Sequence, residues 1–128
     1  MILVAEDNDV NQMVIEFTLE GAGLAHTIVA NGRLAVQQFQ SIRPDLILMD
    51  ISMPEMNGYE ATQAIRELEQ AMGGHTPIIA LTAHALNGDS DKCFEAGMDD
   101  YMSKPISPDA LTEKIRGWLA GSEARQRA

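Results

Sequence analysis

Five short apolar runs alternate along the chain with five segments of helical periodicity, and this alternation restricts the fold more than any other feature. The runs cover residues 2–6, 25–30, 45–50, 77–82 and 100–103. They are rich in Ile, Leu, Val and Ala with little polar alternation, which is typical of strands covered on both faces. The last run is less apolar and is assigned mainly by its position. Five successive strand–helix units predict an α/β fold, a parallel sheet with right-handed crossovers and helices on both faces.

The segments between the strands carry apolar residues at helical spacing. The repeating residues are Val10, Met13, Val14 and Phe17 in the first segment, Ala35, Val36, Phe39 and Ile42 in the second, Ala61, Ala64, Ile65 and Leu68 in the third, and Leu111, Ile115, Trp118 and Leu119 in the fifth. The fourth helix is shorter, from about Ser90 to Ala96, and Gly97 is placed to end it. Ser107 is predicted to cap the fifth helix, with Pro108 in its first position.

Length and composition indicate a single globular domain. We place the domain at residues 1–120 and a C-terminal tail or linker stub at 121–128. The net charge of −10 argues against a nucleic-acid surface, because phosphates would be repelled. No apolar stretch approaches the ~20 residues of a membrane helix. The single cysteine, Cys93, fits a reducing compartment. We therefore expect a cytoplasmic domain, cut from a larger protein.

Charged and polar residues stand where four of the predicted strands end. Glu6 and Asp7 come at the end of the first strand and Asp50 ends the third. Thr82 closes the fourth strand, and Lys104 follows the fifth. Because parallel strands bring their carboxyl ends to one edge, where such sheets bind ligands, these side chains should lie together. The sequence predicts one site with three carboxylates, a hydroxyl and an ammonium group.

These groups have the chemistry of a magnesium-assisted phosphoryl acceptor. Clustered carboxylates repel one another, so either some stay protonated or a divalent cation binds. Hard oxygen ligands suit Mg²⁺, with Mn²⁺ as a substitute. Asp50 is the candidate nucleophile, which would form an aspartyl phosphate. The metal, the Lys104 ammonium and the Thr82 hydroxyl would each stabilise one phosphoryl oxygen.

Each of these residues also has an ordinary structural role open to it. Glu6 and Asp7 could cap the following helix, and Asp50 could initiate a turn. Thr82 could be a plain strand residue, and Lys104 could be solvated. One shared site accounts for all of them together, whereas the structural roles require separate coincidences at equivalent strand ends.

Four stretches resemble the receiver domain of two-component response regulators, over nearly the whole chain. They are Leu3-Val-Ala-Glu-Asp-Asn8, Asp45-Leu-Ile-Leu-Met-Asp-Ile-Ser-Met-Pro-Glu-Met-Asn-Gly58, Pro77-Ile-Ile-Ala-Leu-Thr-Ala83 and Ala96-Gly-Met-Asp-Asp-Tyr-Met-Ser-Lys-Pro105. The resemblance implies a flavodoxin-like (βα)5 fold with strand order 2-1-3-4-5. It implies that Asp50 is the phosphoacceptor, charged by a phosphohistidine of a partner. Asp7, Asp50 and the Ser52 backbone carbonyl would ligate Mg²⁺ directly, and Glu6 mainly through a metal-bound water.

The same resemblance implies a conformational switch. Thr82 would move toward the phosphoryl group and Tyr101 would turn inward, changing the surface of the fourth helix, fifth strand and fifth helix. A homodimer would form through that surface. Ser52 and His84 lie two positions after Asp50 and Thr82, and we expect them to flank the path of an attacking water and to set the lifetime of the phosphate.

Among receiver domains, the sequence is most similar to those of hybrid sensor histidine kinases. The shared motifs are Glu6-Asp-Asn8, Val10-Asn-Gln12, Gly58-Tyr-Glu-Ala-Thr62, Leu81-Thr-Ala-His-Ala85 and Cys93-Phe-Glu-Ala-Gly-Met-Asp-Asp-Tyr101. The implied partners are a histidine kinase dimerisation domain or a histidine phosphotransfer protein. The domain itself would contact neither nucleic acid nor membrane, although a hybrid parent kinase could be membrane-anchored. It would be no enzyme in its own right, beyond promoting its own phosphorylation and dephosphorylation.

Four alternatives stay open. A stand-alone response regulator or phosphorelay shuttle would share these motifs. A magnesium-dependent phosphatase with an aspartyl phosphate typically has a second acid two residues after its nucleophile, where Ser52 stands. A flavodoxin-like cofactor binder needs a Ser/Thr/Gly-rich phosphate loop after the first strand, in place of Glu6-Asp7-Asn8-Asp9. A degenerate receiver that only binds proteins would not need the intact Asp50, Thr82 and Lys104.

Overall fold

Strands and helices alternate through the whole computed structural model, which describes residues 1–53, 55–83 and 89–127, the last without the side chains of 89, 90 and 121–127. The strands are β1 (Ile2–Ala5), β2 (His26–Val29), β3 (Leu46–Asp50), β4 (Ile78–Thr82) and β5 (Asp100–Ser103). The helices are α1 (Asp9–Gly21), α2 (Gly32–Ile42), α3 (Gly58–Met72), α4 (Asp89–Ala96) and α5 (Pro108–Arg127). The predicted order of elements is confirmed.

The five strands form one parallel sheet in the order β2-β1-β3-β4-β5, as predicted. Leu3 pairs with both Thr27 and Ile47, and Asp50 pairs with Leu81 on β4. Thr82 pairs with Ser103, the residue before Lys104. This register brings the carboxyl ends of β1, β3, β4 and β5 to a common edge.

Alternate residues of the central strands enter two separate cores. On one face, Val4 and Leu48 pack with Ile15 of α1 and Leu111 and Ile115 of α5. On the other face, strand residues pack against α2, α3 and α4. The residues in contact are Leu3, Ile47 and Ala80 of the sheet, Ala35 and Phe39 of α2, Ala61 and Ile65 of α3, and Cys93 of α4. Each fully buried Leu or Ile stabilises the fold by roughly 1.5–3 kcal/mol. Burial on both faces explains why these strands lack polar alternation.

Of the four apolar residues predicted to repeat along the first helix, Val14 packs against the core, but the other three do not. The side chains of Val10, Met13 and Phe17 are 67%, 68% and 75% exposed. The buried face instead carries Ile15 and Leu19. Helical spacing alone shows that a stripe exists, and the packing of α1 against the sheet decides which stripe is covered.

The ends of the last two helices follow the turn signals in the sequence. Gly97 follows α4 with φ +105°, a left-handed conformation that glycine adopts without strain. Pro108 is the first residue of α5, and the Leu111 N–H donates to the Ser107 carbonyl. The backbone of α5 continues to Arg127, beyond residue 120, so the domain boundary at 120 stays a prediction. Among the described residues, no helix has the length and apolar character needed to span a membrane.

The start of α3 packs directly on the end of β3, with no room for a side chain. A Cβ added at Gly58 would lie 2.8 Å from the Ile51 Cα and closer still to the Asp50 carbonyl oxygen. The Gly58 N–H also donates to the Ile51 carbonyl. Gly58 therefore holds the loop after Asp50 against the sheet.

We expect Gly58→Ala to lower the free energy of unfolding by about 1–3 kcal/mol, because backbone atoms must shift to admit the methyl group. Gly117→Ala is the matched control, since Gly117 lies in α5 with nothing within 4 Å of an added Cβ. It should be neutral or stabilising by roughly 0.5–1 kcal/mol. Urea unfolding followed by circular dichroism measures both, and equal effects would contradict the packing described for Gly58.

Candidate functional site

The predicted site residues lie together at the carboxyl edge of the sheet. Glu6 follows β1 and is fully buried, and Asp50 at the end of β3 is 2% exposed. Thr82 ends β4 and is buried, while Asp7 is exposed at the rim. Lys104 follows β5 with its side chain 19% exposed. The parallel register thus assembles residues that are up to 98 positions apart in the chain.

Lys104 joins two of the three acids. Its Nζ lies 3.1 Å from Asp50 Oδ2 and 3.4 Å from Glu6 Oε2. The other Asp50 oxygen, Oδ1, accepts a hydrogen bond from the Ser52 backbone N–H at 3.1 Å. Asp50 is therefore held from both sides, which leaves its carboxylate fixed in position at the base of a cleft.

Glu6 is turned inward by residues at the start of α1. Its Oε1 accepts hydrogen bonds from the Asn8 N–H at 3.2 Å and the Asn11 Nδ2 at 3.1 Å. The Gln12 side chain donates to the Glu6 backbone carbonyl. Asn8 is the residue that caps α1, through its side chain and the Asn11 N–H. The capping role left open for the two acids is therefore filled by Asn8, and sequence reasoning assigned no role to Asn8, Asn11 or Gln12.

Glu6, Asp7 and Asp50 are arranged as ligands for one hard cation. Each offers a carboxylate oxygen, and these three oxygens lie within 4.8 Å of one another. Glu6 Oε2 is buried; among the described residues it has the ion-pair contact with Lys104 at 3.4 Å and no hydrogen bond. A cluster of carboxylate oxygens at a partly exposed edge, with room for water, suits Mg²⁺ or Mn²⁺ better than a soft metal. The donor set fits the predicted divalent ion.

The crowding of the site raises the pKa values of Asp7 and Asp50. Burial, a hydrogen bond with Asp50 and the Asp50 charge raise the pKa of Asp7 above its usual value. Burial also raises the pKa of Asp50; the Glu6 charge adds to the rise, while the Ser52 N–H and Lys104 oppose it. The protein alone does not fully neutralise this edge, and a bound cation would favour the ionised carboxylates.

A cleft of about 580 Å³ opens in front of Asp50. Its walls are formed by Asp50, Ile51, Ser52, Met53, Asn57, Tyr59, Ala83, Lys92 and Lys104. Ser52 lies on this wall, as expected for a residue beside the acceptor. His84, the other predicted lifetime modulator, lies outside the described residues. Lys92 on α4 was not anticipated, because its place in the cleft depends on how α4 packs against the sheet.

Tyr101 lies on β5 and is half-buried against the core that the sheet forms with α2, α3 and α4. It pairs with Ala80 on β4, and its ring contacts the edge of the Phe94 ring, with centroids 6.1 Å apart and planes at 78°. Phe94 on α4 is half exposed. The aromatic pair therefore joins α4 to β5 on a surface close to the site.

Asp100, which the sequence does not single out, ties β5 to α5. Its Oδ2 accepts hydrogen bonds from Lys114 Nζ at 3.0 Å and Trp118 Nε1 at 2.9 Å. Its Oδ1 accepts from the Tyr101 N–H at 2.8 Å. Burial alone would raise the pKa of Asp100, but Trp118, Lys114 and the Tyr101 N–H together lower it below its usual value.

Comparison with known proteins gives a consistent family. The model of the response regulator receiver domain matches residues 2–116. The chain is 50% identical over 119 residues to hybrid signal transduction histidine kinase I of Dictyostelium discoideum; the match covers 89% of this chain and 7% of that protein. The chain therefore spans a small part of that relative.

Solved structures with the same fold include two receiver domains. The receiver domain of sensor histidine kinase PA1611 from Pseudomonas aeruginosa PAO1, which has a magnesium ion in its active site cleft, is 45% identical with a TM-score of 0.85, over 93% of this chain and 96% of that one. The second structure is the receiver domain of the Saccharomyces cerevisiae response regulator Ssk1, crystallised with the histidine phosphotransfer protein Ypd1. The match has 31% identity and a TM-score of 0.87, and it covers 93% of this chain and 88% of the matched chain.

The lowered pKa of Asp100 predicts a pH-dependent contribution to stability. Because the carboxyl has a lower pKa folded than unfolded, its contribution is present above the unfolded value of ~3.9 and is lost as the pH falls through the folded value. Asp100→Asn should lower the free energy of unfolding by about 1 kcal/mol at pH 7. The difference from wild type should shrink below about pH 4.

Urea titrations between pH 7 and pH 3 measure this difference. Asp91→Asn, at an exposed position of α4, is the control for the loss of one surface charge. A destabilisation by Asp100→Asn that stays constant across this range would contradict the assignment.

Proposed function

The chain belongs to the response regulator receiver family of two-component and phosphorelay signalling, and we propose that Asp50 is the residue on which it accepts the phosphoryl group. One observation carries this assignment. Asp50 is buried at a strand end, 3.1 Å from the Lys104 ammonium and within reach of two further acids. A carboxylate so placed is oriented, partly neutralised and open to the cleft.

The donor in this proposal is a phosphohistidine of a partner protein. An Asp50 carboxylate oxygen attacks the phosphorus, the phosphorus–nitrogen bond breaks, and its electron pair stays on the imidazole nitrogen, which takes up a proton. The product is an acyl phosphate on Asp50. Such a transfer needs alignment and charge neutralisation more than covalent chemistry from the protein. Lys104 contacts Asp50 directly, and we assign it to a phosphoryl oxygen in the product.

We propose Mg²⁺, with Mn²⁺ as a substitute, as the cofactor. Asp7, Asp50 and the Ser52 carbonyl would hold the ion directly, and Glu6 mainly through a water. When bound, the ion supplies positive charge to a phosphoryl oxygen and offsets the repulsion among the acids. The support is the three-carboxylate cluster here and the magnesium ion in the cleft of the PA1611 receiver domain.

The response to phosphorylation is proposed to run through Thr82 and Tyr101. The Thr82 hydroxyl would donate a hydrogen bond to the phosphoryl group, and Tyr101 would turn inward from its half-buried position. The two packings form a population equilibrium that the phosphoryl group shifts. The changed surface would be α4, β5 and α5, which is also the proposed homodimer contact. Ser52, on the cleft wall, and His84 remain the proposed modulators of phosphate lifetime.

The exposed apolar stripe of α1 is the proposed contact for the phosphohistidine-bearing partner. Val10, Met13 and Phe17 lie on one helix that starts directly after Glu6 and Asp7. A histidine on a partner helix could reach Asp50 only by docking beside that edge. Apolar side chains that a chain leaves exposed together typically mark a protein contact. In the Ssk1 structure, a receiver domain is crystallised with a histidine phosphotransfer protein.

The larger protein is proposed to be a hybrid histidine kinase, in which this domain would receive the phosphoryl group from a kinase dimerisation domain or pass it to a phosphotransfer protein. The support is the 50% identity to a hybrid kinase. A cytoplasmic location agrees with the single, unbridged Cys93. A stand-alone response regulator or shuttle is the second candidate. A phosphatase is disfavoured because Ser52 occupies the position of the second acid.

Incubation with Mg²⁺ and a small phosphodonor tests the central proposal. We expect intact mass to show one phosphoryl adduct on wild type and none on Asp50→Asn, because the amide cannot form the acyl phosphate. Chelation of the metal should abolish the adduct on wild type. An adduct of equal yield on the two proteins would refute Asp50 as the acceptor.

Phe17→Glu tests the docking surface. It should slow transfer from a phosphorylated histidine phosphotransfer protein about tenfold, the effect of losing roughly 1.4 kcal/mol at a contact. Phosphorylation by a small donor should be unchanged, since Phe17 does not line the cleft. Met72→Glu, at an exposed apolar residue that ends α3, is the control. Unaltered protein-to-protein transfer in Phe17→Glu would exclude the stripe as the contact.

A further inference from the structure

Lys92 on α4 lines the cleft in front of Asp50 and brings a second positive charge to its wall. The lysines at the other described positions are committed to acids: Lys104 to Asp50 and Glu6, and Lys114 to Asp100. Lys92 makes no ion pair with any residue that the structure describes. A molecule that enters the cleft would meet this charge.

The two cations of the cleft lie at different depths. Lys104 is largely buried and contacts Asp50, which is itself almost fully buried at the base. Lys92 is exposed, so its ammonium belongs to the outer wall. A phosphodonor has to enter from the outside with its phosphorus toward Asp50.

In-line displacement fixes where the leaving group goes. The attacking oxygen and the leaving atom lie on opposite sides of the phosphorus. Because Asp50 attacks from the base, the leaving group points toward the mouth of the cleft, where Lys92 stands. Lys104 is placed for the phosphoryl oxygens, and Lys92 for the group that departs.

We propose that Lys92 is a specificity-determining residue, which favours phosphodonors whose leaving group departs as an anion. This inference rests on the proposed phosphoacceptor function. With acetyl phosphate, the Asp50 oxygen–phosphorus bond forms, the phosphorus–oxygen bond to the acetyl group breaks, and acetate leaves with the electron pair and a negative charge. With phosphoramidate protonated on nitrogen, the phosphorus–nitrogen bond breaks, its electron pair stays on the nitrogen, and uncharged ammonia leaves.

The Lys92 ammonium stabilises the developing charge of acetate in the transition state and gives no such stabilisation to ammonia. Because Lys92 is solvent-exposed, the effect is modest: about two- to fivefold in rate, the range of an exposed ion pair. The measurable quantity is the ratio of the two phosphorylation rate constants. A substitution that alters both rate constants by the same factor leaves this ratio unchanged.

The experiment compares wild type, Lys92→Ala, Lys92→Arg and Lys92→Glu with acetyl phosphate and with phosphoramidate, in Mg²⁺ at constant ionic strength, by intact mass against time. Lys92→Ala should lower the acetyl phosphate to phosphoramidate ratio about two- to fivefold. Lys92→Glu should lower the ratio further, and Lys92→Arg should keep it near wild type. Arg116→Ala removes one exposed charge from α5, away from the cleft, and should leave the ratio unchanged.

Three outcomes would overturn the role of Lys92. Unchanged rate constants with both donors in Lys92→Ala would make it a solvated surface lysine. An equal fall with both donors would place its action on the phosphoryl group, away from the leaving group. A fall as large in Arg116→Ala would make the effect one of overall charge. Absence of any adduct on wild type with either donor would refute the proposed phosphoacceptor function itself, and with it the role of Lys92.

Discussion

The contact between the Lys104 ammonium and the carboxylates of Asp50 and Glu6 is the interaction on which the site depends. Without it, buried acids would face one another in a medium that screens charge poorly, and protonation would be favoured. One ammonium offsets part of that repulsion and leaves the pKa values of Asp7 and Asp50 raised. The residual negative charge selects for a hard divalent cation, and the cation in turn prepares the edge for a phosphoryl group.

This contact exists only because the sheet is parallel and rigidly packed. β1, β3 and β4 are buried on both faces, so their carboxyl ends have little freedom to separate. Around this fixed base, the walls are built from the loops after β3 and β4, from the N-terminal turn of α3 and from α4. Asn57 caps α3, and Gly58 allows α3 to approach β3 closely. The cleft thus combines a rigid floor with walls that come from separate segments of the chain.

The proposed contacts with other proteins lie on the outer surface. Two apolar features lie near the site: the exposed face of α1 and the Phe94–Tyr101 pair between α4 and β5. Asp100 binds β5 to α5 through Lys114 and Trp118, so a shift of β5 would be transmitted to α5. A signalling module needs one surface for receiving the phosphoryl group and another for reporting it. The two surfaces proposed for these roles flank the same sheet edge.

The sequence by itself determined the architecture and the composition of the site. Strand-length apolar runs that alternate with helical segments leave a parallel sheet as the consistent solution, and strand-end positions mark Glu6, Asp7, Asp50, Thr82 and Lys104 as neighbours. The sequence could not determine which face of α1 is covered, that Asp100 ties β5 to α5, or that Lys92 lines the cleft. Those facts depend on the angles and depths at which helices pack on the sheet. Local periodicity specifies that a face exists, whereas only long-range packing decides what that face meets.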